Sequence, residues 1–195
     1  MATERNKYAA GEQSLGYIYQ VRFALLHLMK QAETQSLFIE ADDDVQVVEV
    51  DGKSTLVSLK HKREGETVGT LSVDFWKSVR IWLDRYIRDG KLACEHAFCM
   101  ATTARVGPNS TLKYFLAGSE PMPDDIDQQL LNELDRSTAG LSSAIKATID
   151  TLSKTERRDF FSRIVIADGS PRIQNLGSEI VGQLKAIRQK HREDV

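Results

Sequence analysis

The stretch that decides the fold is EVDGKSTLVSLKHK, residues 49–62. Asp51-Gly52 within it is a strong signal for a tight turn between two β-strands. Apolar and polar residues alternate on both sides of this turn, as they do in strands that pack one face on a core. We therefore predict a β-hairpin. Lys60 lies at the end of its second strand, and the run Asp42-Asp43-Asp44 opens its first, so one end of the hairpin gathers charges of both signs.

The length of the hairpin loop decides which side chains share a face. A two-residue loop pairs odd positions with even ones, whereas a three-residue loop with Gly52 in the left-handed conformation forms a G1 bulge and pairs even with even. We favour the bulged turn because it separates a polar face from an apolar one, as a half-buried hairpin prefers. The polar face would carry Asp44, Gln46, Ser58 and Lys60, and the apolar face Val45, Val47, Val57 and Leu59.

Hydrophobic periodicity predicts the other elements of the chain. The predicted helices cover residues 13–30, 73–89, 124–135, 139–152, 155–163 and 175–192. The predicted strands cover residues 36–40, 44–50, 54–61 and 96–102, and RIVIA (163–167) is a further candidate. Ser72 and Gly90 are the expected caps of the second helix, and REGETVGTL and RVGPNS are predicted loops.

The order helix, strand, strand, strand, helix, strand predicts an α/β fold. Because its first three strands follow one another closely, we expect an antiparallel meander with helices packed on it. We place the core in residues 1–118. A helical C-terminal extension, residues 119–195, is expected to pack on the core or to serve assembly. Residues 120–135 are rich in acidic side chains, so this segment would repel a polyanion such as DNA.

Composition limits the classes of protein to which the chain can belong. Of its 195 residues 41% are hydrophobic and 28% charged, which allows a substantial core. The net charge of −2 excludes a polycation. No apolar run approaches the ~20 residues that span a bilayer, and the N-terminus lacks the apolar core of a signal peptide. The two cysteines, Cys94 and Cys99, do not have zinc-site spacing, so we expect a cytoplasmic location and no membrane partner.

A meander would bring three charged residues to one edge of the sheet. Glu40 ends the first predicted strand, Asp44 begins the second, and Lys60 ends the third. Carboxylates bind hard divalent cations such as Mg²⁺, which lower the pKa of a bound water. A lysine can stabilise the negative charge that develops on a phosphate in the transition state. These residues are therefore candidates for metal-dependent hydrolysis.

The element order, with an acid on the second strand and x-Lys on the third, resembles the PD-(D/E)xK nuclease superfamily. The segments GYIYQVRFALLHL (16–28), EADDDVQV (40–47) and VSLKHK (57–62) resemble in particular the nuclease domain of bacterial antiphage effector endonucleases, those of CBASS and related systems. The resemblance covers residues 11–105. It implies a restriction-endonuclease-like core that cuts double-stranded DNA with Mg²⁺ or Mn²⁺.

The resemblance assigns roles to individual positions. Glu40 and Asp44 would hold the metal, Lys60 would serve catalysis, and Gln20 would lie beside the metal site. The family has Gln or Glu two residues before the lysine, where this chain has Ser58; Gln46 could supply the missing amide, or the site could be weakened. The expected contacts with the DNA backbone are His61, Lys62 and Arg63.

Alternatives to a nuclease remain open at this stage. The chain could be a nuclease-fold module that no longer cuts but binds DNA or assembles with partner subunits, and a helical adaptor with an incidental hairpin needs no metal site. Lys77, Arg80, Arg85 and Arg88 form either a solvated helix face or a strip that follows DNA phosphates. A homo-oligomer, or an assembly with a separate sensing subunit, is expected because a nuclease needs a gate.

Overall fold

The computed structural model describes residues 7–136 and 140–193 and shows a mixed α/β fold. The helices are α1 (Lys7–Leu28), α2 (Val73–Arg88), α3 (Ile126–Asp135), α4 (Gly140–Asp150), α5 (Lys154–Ser162) and α6 (Ile173–Glu193). The strands are β1 (Ser36–Ile39), β2 (Val45–Val48), β3 (Ser54–Lys60), β4 (Thr67–Val68), β5 (His96–Thr102), β6 (Arg105–Val106) and β7 (Ile164–Ala167). In these two ranges, no helix has the length and apolar character that crossing a membrane requires.

The central sheet has five strands in the order β1-β2-β3-β5-β7. Strands β1, β2 and β3 form the predicted antiparallel meander. Strands β3, β5 and β7 run parallel to one another. A parallel pair needs a crossover connection, and α2 supplies the one between β3 and β5. The α/β class and the order of the first elements are thus confirmed.

The hairpin between β2 and β3 has the predicted register. Gln46 pairs with Leu56 and Val48 with Ser54, so even positions face even positions. The Glu49 amide donates to the Lys53 carbonyl at 2.8 Å, which closes a loop of residues 50–52. Gly52 in this loop has φ 87°, a left-handed conformation that glycine adopts without steric cost. The bulged turn is therefore confirmed.

The predicted division into a polar and an apolar face is wrong for β3, because helices cover both sides of the sheet. Leu56 and Ser58, on the supposedly polar side, are 0% and 1% exposed and lie against α2. Val57 and Leu59 on the other side pack in a second cluster with residues of α1 and α6. A strand that is buried on both faces is typical of parallel sheet segments, and β3 pairs in parallel with β5.

Helix α2 begins after Ser72 and is followed by Gly90, as predicted. Gly90 follows it with φ 88°, and its amide donates to the Ile87 carbonyl at 3.2 Å, as in a glycine C-cap. Ser72 precedes the helix, yet its side chain makes no capping hydrogen bond. Trp76 and Trp82 on the inner face are buried in the core.

Two segments that were predicted as loops pair with each other and form a small two-stranded sheet. Thr67–Val68 and Arg105–Val106 pair in parallel as β4 and β6. Both valines join the hydrophobic core, with exposures of 1% and 9%. The loop prediction for these residues is therefore wrong, because two-residue strands are too short to show a periodic pattern.

The C-terminal part of the chain contributes to the same core. Strand β7 forms the edge of the sheet beside β5, and α6 packs along α1. The apolar faces of α3, α4 and α5 belong to the hydrophobic cluster that contains α2. The domain boundary at residue 118 stays a prediction. Residues 137–139, part of the connection between α3 and α4, lie outside the described residues.

Candidate functional site

Asp44 is the centre of the candidate site, which lies where β2 begins and β3 ends. Its Oδ1 accepts a hydrogen bond from Gln20 Nε2 of α1 at 2.7 Å. Its Oδ2 accepts one from the backbone amide of Leu59 at 2.6 Å and lies 3.9 Å from Lys60 Nζ. The carboxylate thus joins the first helix to the end of β3. Gln20, Asp44 and Lys60, all predicted as site residues, are brought together.

The meander explains why residues so distant in sequence meet here. Asp44 directly precedes β2, and Lys60 is the last residue of β3, so antiparallel pairing places them at the same end of the hairpin. The side chains of Asp44 and Lys60 are 24% and 22% exposed, which leaves them accessible to a ligand. Each Asp44 carboxylate oxygen accepts one hydrogen bond from the described residues and keeps lone-pair capacity for a further partner.

Glu40 lies next to Asp44 at the end of β1. The backbone amide of Glu40 donates to the Asp44 carbonyl at 3.1 Å. Glu40 has φ 55°, a left-handed conformation that is rare outside glycine. Its side chain is exposed and has no hydrogen bond or ion pair with any residue that the structure describes. Strained backbone of this kind is concentrated at functional sites.

Gln20 carries an unsatisfied acceptor. Its Nε2 donates to Asp44, while its buried Oε1 has no partner among the described residues. Turning the amide over would place Oε1 against the Asp44 carboxylate, so the observed orientation is the favourable one. Amide and carboxylate oxygens are the ligands that Mg²⁺ takes. Asp44 and Glu40 therefore offer the type of oxygen that a hard divalent cation takes, whereas the described ranges hold no cluster of three or more His, Cys, Asp or Glu side chains placed for a metal.

The two acids before Asp44 hold helix α2. Asp42 forms an ion pair with Arg85 at 2.5 Å. Asp43 Oδ2 accepts a hydrogen bond from Trp82 Nε1 at 2.7 Å. Burial raises the pKa of Asp43, and the hydrogen bond from Trp82 only partly offsets that effect. The three consecutive acids thus divide their contacts between α2 and the site.

Ser58 and Gln46 are engaged elsewhere. The Ser58 hydroxyl is buried and lies 2.9 Å from the hydroxyl of Ser78 on α2. Gln46, predicted as a substitute ligand, instead donates through Nε2 to Ser54 Oγ at 3.2 Å. Ser54 begins β3, whereas Lys60 ends it. The Gln46 amide is therefore directed away from Lys60, and that part of the prediction is wrong.

The basic segment after β3 has mixed surroundings. Lys62 is paired with Asp74 of α2, and the His61 ring contacts the Tyr19 ring with centroids 5.3 Å apart. Arg63 is exposed. Arg172, which sequence analysis missed, donates to the Lys62 carbonyl at 3.0 Å. It is 110 residues away in sequence, and only the packing of α6 beside α1 brings it here.

The arginines of α2 do not form a continuous free strip. Arg85 contacts Asp42 and Asp89, both at 2.5 Å, and Arg88 lies 3.6 Å from Asp42. Lys77 and Arg80 are exposed and remain available for a phosphate contact.

A second polar cluster was also missed by sequence analysis. Ser54 Oγ lies 2.6 Å from His96 Nδ1, and His96 Nε2 lies 2.9 Å from Asp89 Oδ2. Serine, histidine and aspartate in this order are the residue types of a hydrolase catalytic triad. Ser54, however, is only 4% exposed, and a nucleophile has to reach its substrate. The cluster therefore connects the starts of β3 and β5 to the end of α2.

The chain matches no model of a known protein family and no curated protein. A function therefore has to be inferred from its own contacts and from the resemblance of its sequence motifs.

Proposed function

We propose that the chain is a metal-dependent double-stranded DNA endonuclease with a restriction-endonuclease-like core, acting as an effector in bacterial antiphage defence. One observation carries the proposal: Gln20, Asp44 and Lys60 converge from a helix and two strands at one sheet edge. The element order and the motifs of the first 105 residues support the same class through their resemblance to PD-(D/E)xK nucleases. We place the protein in the cytoplasm, where its DNA substrate would be.

Asp44 and Glu40 would hold the cation, and Gln20 would orient the Asp44 carboxylate through its hydrogen bond. Magnesium or manganese bound there supplies a water of lowered pKa and neutralises charge on the phosphate. Asp44 is held in place by Gln20 and by the Leu59 amide. This positioning from two sides keeps the carboxylate oriented before substrate binds, which reduces the reorganisation that the reaction requires.

Lys60 would act on the phosphate. Its ammonium group carries three N–H donors and lies 3.9 Å from Asp44 Oδ2. A phosphodiester beside Asp44 would therefore meet a compact positive charge. Water would attack phosphorus and release a proton to solvent, and the bond to the leaving oxygen would break as that oxygen takes up a proton from solvent. Lys60 would stabilise the negative charge that grows on the phosphate oxygens.

The DNA backbone would approach over the end of β3. His61 and Arg63 are exposed there, and Arg172 lies beside Lys62. Lys62 is paired with Asp74, so it could contact a phosphate only after that ion pair breaks. Phosphate contacts fix the position of a duplex without reading its sequence, so we propose cleavage that depends on gating more than on base recognition. The gate would be a second copy of the chain or a partner subunit.

Supercoiled-plasmid cleavage tests the proposal directly. Wild type is incubated with plasmid in Mg²⁺, in Mn²⁺ and in EDTA, alongside Asp44→Asn. The matched control is Asp84→Asn, because Asp84 is an exposed acid of α2. We expect nicking by wild type and Asp84→Asn with either metal, and none by Asp44→Asn or in EDTA. Equal cleavage by both variants would refute the assignment of Asp44.

A second candidate function is supported by Ser58. The family position two residues before the lysine normally supplies a ligand, and here its hydroxyl is buried against Ser78. A site short of one ligand would bind DNA or assemble with partners without cutting. Fluorescence anisotropy with labelled duplex DNA distinguishes the two: binding in Ca²⁺ without any cleavage in Mg²⁺ or Mn²⁺ would favour the non-cutting module.

A further inference from the structure

Helix α1 presents apolar side chains on two opposite faces. The inner face carries Tyr19, Phe23 and Leu26, which are buried in the cluster shared with the sheet and α6. The outer face carries four apolar residues that are 38–52% exposed, and we call them the outer seam: Ile18, Val21, Leu25 and Leu28. A helix that is apolar all round is typical of a buried position, so the outer seam has the character of an interface.

The spacing of the outer seam indicates the shape of the partner that fits it. Its residues follow one another at three, four and three positions, which is the a/d repeat of a coiled coil. The side chains of such a repeat insert between those of another helix. The outer seam therefore fits a helix.

The exposed area is close to what a stable dimer needs. Leu15 and Tyr17 flank the outer seam and are 56% and 57% exposed. At about 200 Å² for each such residue when fully exposed, these two and the outer seam present roughly 600 Å², most of the ~800 Å² that each partner contributes to a standard interface. The remainder would come from the polar rim that surrounds an interface core.

The charge on this side of α1 allows the surface to meet a copy of itself. Arg22 is the only Lys, Arg, Asp or Glu between residues 14 and 28. Its Nη1 lies 3.5 Å from the Ile173 carbonyl and is thus directed toward α6. Two outer seams would therefore meet without like charges between them. A two-fold dimer uses the same patch on both copies and is the commonest form of oligomer.

The proposed nuclease site is attached to the same helix, because Gln20 donates to Asp44. With 3.6 residues in each turn, Gln20 lies about 120° from the centre of the outer seam. A two-fold axis that relates two antiparallel helices is perpendicular to both and to the line joining them. Both copies of Gln20, and with them both copies of Asp44, would then lie on the same side of the pair, where one DNA duplex could reach them.

We propose that a second copy of the chain packs its α1 antiparallel against this α1 through the outer seam, and that this dimer cuts both strands of one duplex. The second part rests on the proposed nuclease function. Each chain has one site at Asp44 and Lys60, and each site hydrolyses one phosphodiester with one water. A double-strand break needs two hydrolyses on strands of opposite direction, which two sites related by a two-fold axis supply.

Sedimentation velocity of the full chain tests the dimer. Interfaces of this size have micromolar or tighter dissociation constants, so at about 50 µM wild type should be mostly dimer. Leu25→Glu should raise the dissociation constant at least about 100-fold, because it places two unpaired carboxylates in an apolar interface. Ile18→Lys should act similarly at the other end of the outer seam. The matched control is Leu92→Glu, since Leu92 is 53% exposed and lies outside α1; it should dimerise like wild type.

The melting temperature of each variant, measured by circular dichroism, shows whether it folds, and the two variants of the outer seam are independent of each other. A wild type that stays at the monomer mass of 21.9 kDa would overturn the proposal; this is also the result expected if the outer seam serves a different protein. Folded Leu25→Glu or Ile18→Lys that dimerises as tightly as Leu92→Glu would overturn it too.

Cleavage of supercoiled plasmid in Mg²⁺ separates this inference from the proposed function. Wild type and Leu92→Glu should produce linear DNA directly, whereas Leu25→Glu should first accumulate nicked circles. Equal rates of linear product from Leu25→Glu and Leu92→Glu would overturn the pairing of the two sites. A dimer that leaves the plasmid intact would keep the interface and overturn the nuclease function, and a monomer that cuts would do the reverse.

Discussion

Replacement of Lys60 by alanine separates a catalytic role from a structural one. At 3.9 Å from Asp44 Oδ2, the ammonium contributes a gross attraction of about 4 kcal/mol at an effective dielectric constant of ~20. Solvent screening and side-chain entropy reduce the net value of such partly exposed pairs to about 0.2–1 kcal/mol. Asp44 also keeps its bonds to Gln20 and to the Leu59 amide. The melting temperature should therefore fall by no more than about 2–4 °C.

The effect of the same change on the rate should be far larger. Loss of a group that stabilises transition-state charge costs about 10²–10³-fold in rate, or about 2.7–4 kcal/mol. The assay is the initial rate of nicking of supercoiled plasmid in Mg²⁺, below the melting temperature of each variant. Lys53→Ala is the control, because Lys53 lies beside the other end of β3 and pairs only with the exposed Asp51 among the described residues. Lys60→Ala should be at least 100-fold slower than Lys53→Ala.

Two results would refute this reasoning. Rates within tenfold of each other for Lys60→Ala and Lys53→Ala would remove Lys60 from the mechanism. A fall in melting temperature well beyond 4 °C would show that Lys60 chiefly supports the fold, and the rate would then carry no information about catalysis.

Three further predictions concern the residues around the site. The raised pKa of Asp43 means that its contribution to stability is present at low pH and lost as pH rises through the folded-state pKa. Asparagine does not ionise, so Asp43→Asn should gain stability relative to wild type as the pH rises. The difference in melting temperature, variant minus wild type, should therefore increase from pH 3 to pH 7; the same difference at both pH values would contradict this. Ser58→Gln should reduce the free energy of unfolding by about 1–3 kcal/mol, because Ser58 is 1% exposed against α2; an unchanged midpoint in urea would show room for the longer side chain. Gly52→Ala should cost about 1–2 kcal/mol through backbone strain alone, since no atom lies within 4 Å of the added carbon; equal urea midpoints would argue against it.

Local sequence was enough to predict the hairpin and its register. Asp51-Gly52 specifies a turn, and the alternation around it selects the three-residue loop in which Gly52 is left-handed. The parity of side chains follows from that loop, because successive residues of a strand point to opposite faces. The proximity of Asp44 and Lys60 follows in turn. These features depend on neighbours within a few positions, which a single sequence displays.

Only the tertiary structure decided what covers each face of the sheet. Ser58 was expected on a polar surface, yet α2 buries it. Leu56 lies on the same face of β3 as Ser58, and an apolar residue there was the one sign in the sequence that this face is buried. Asp43 and Trp82 are 39 positions apart, and no local pattern predicts that pair. Periodicity tells which side chains share a face, but the partner of that face depends on how distant elements pack.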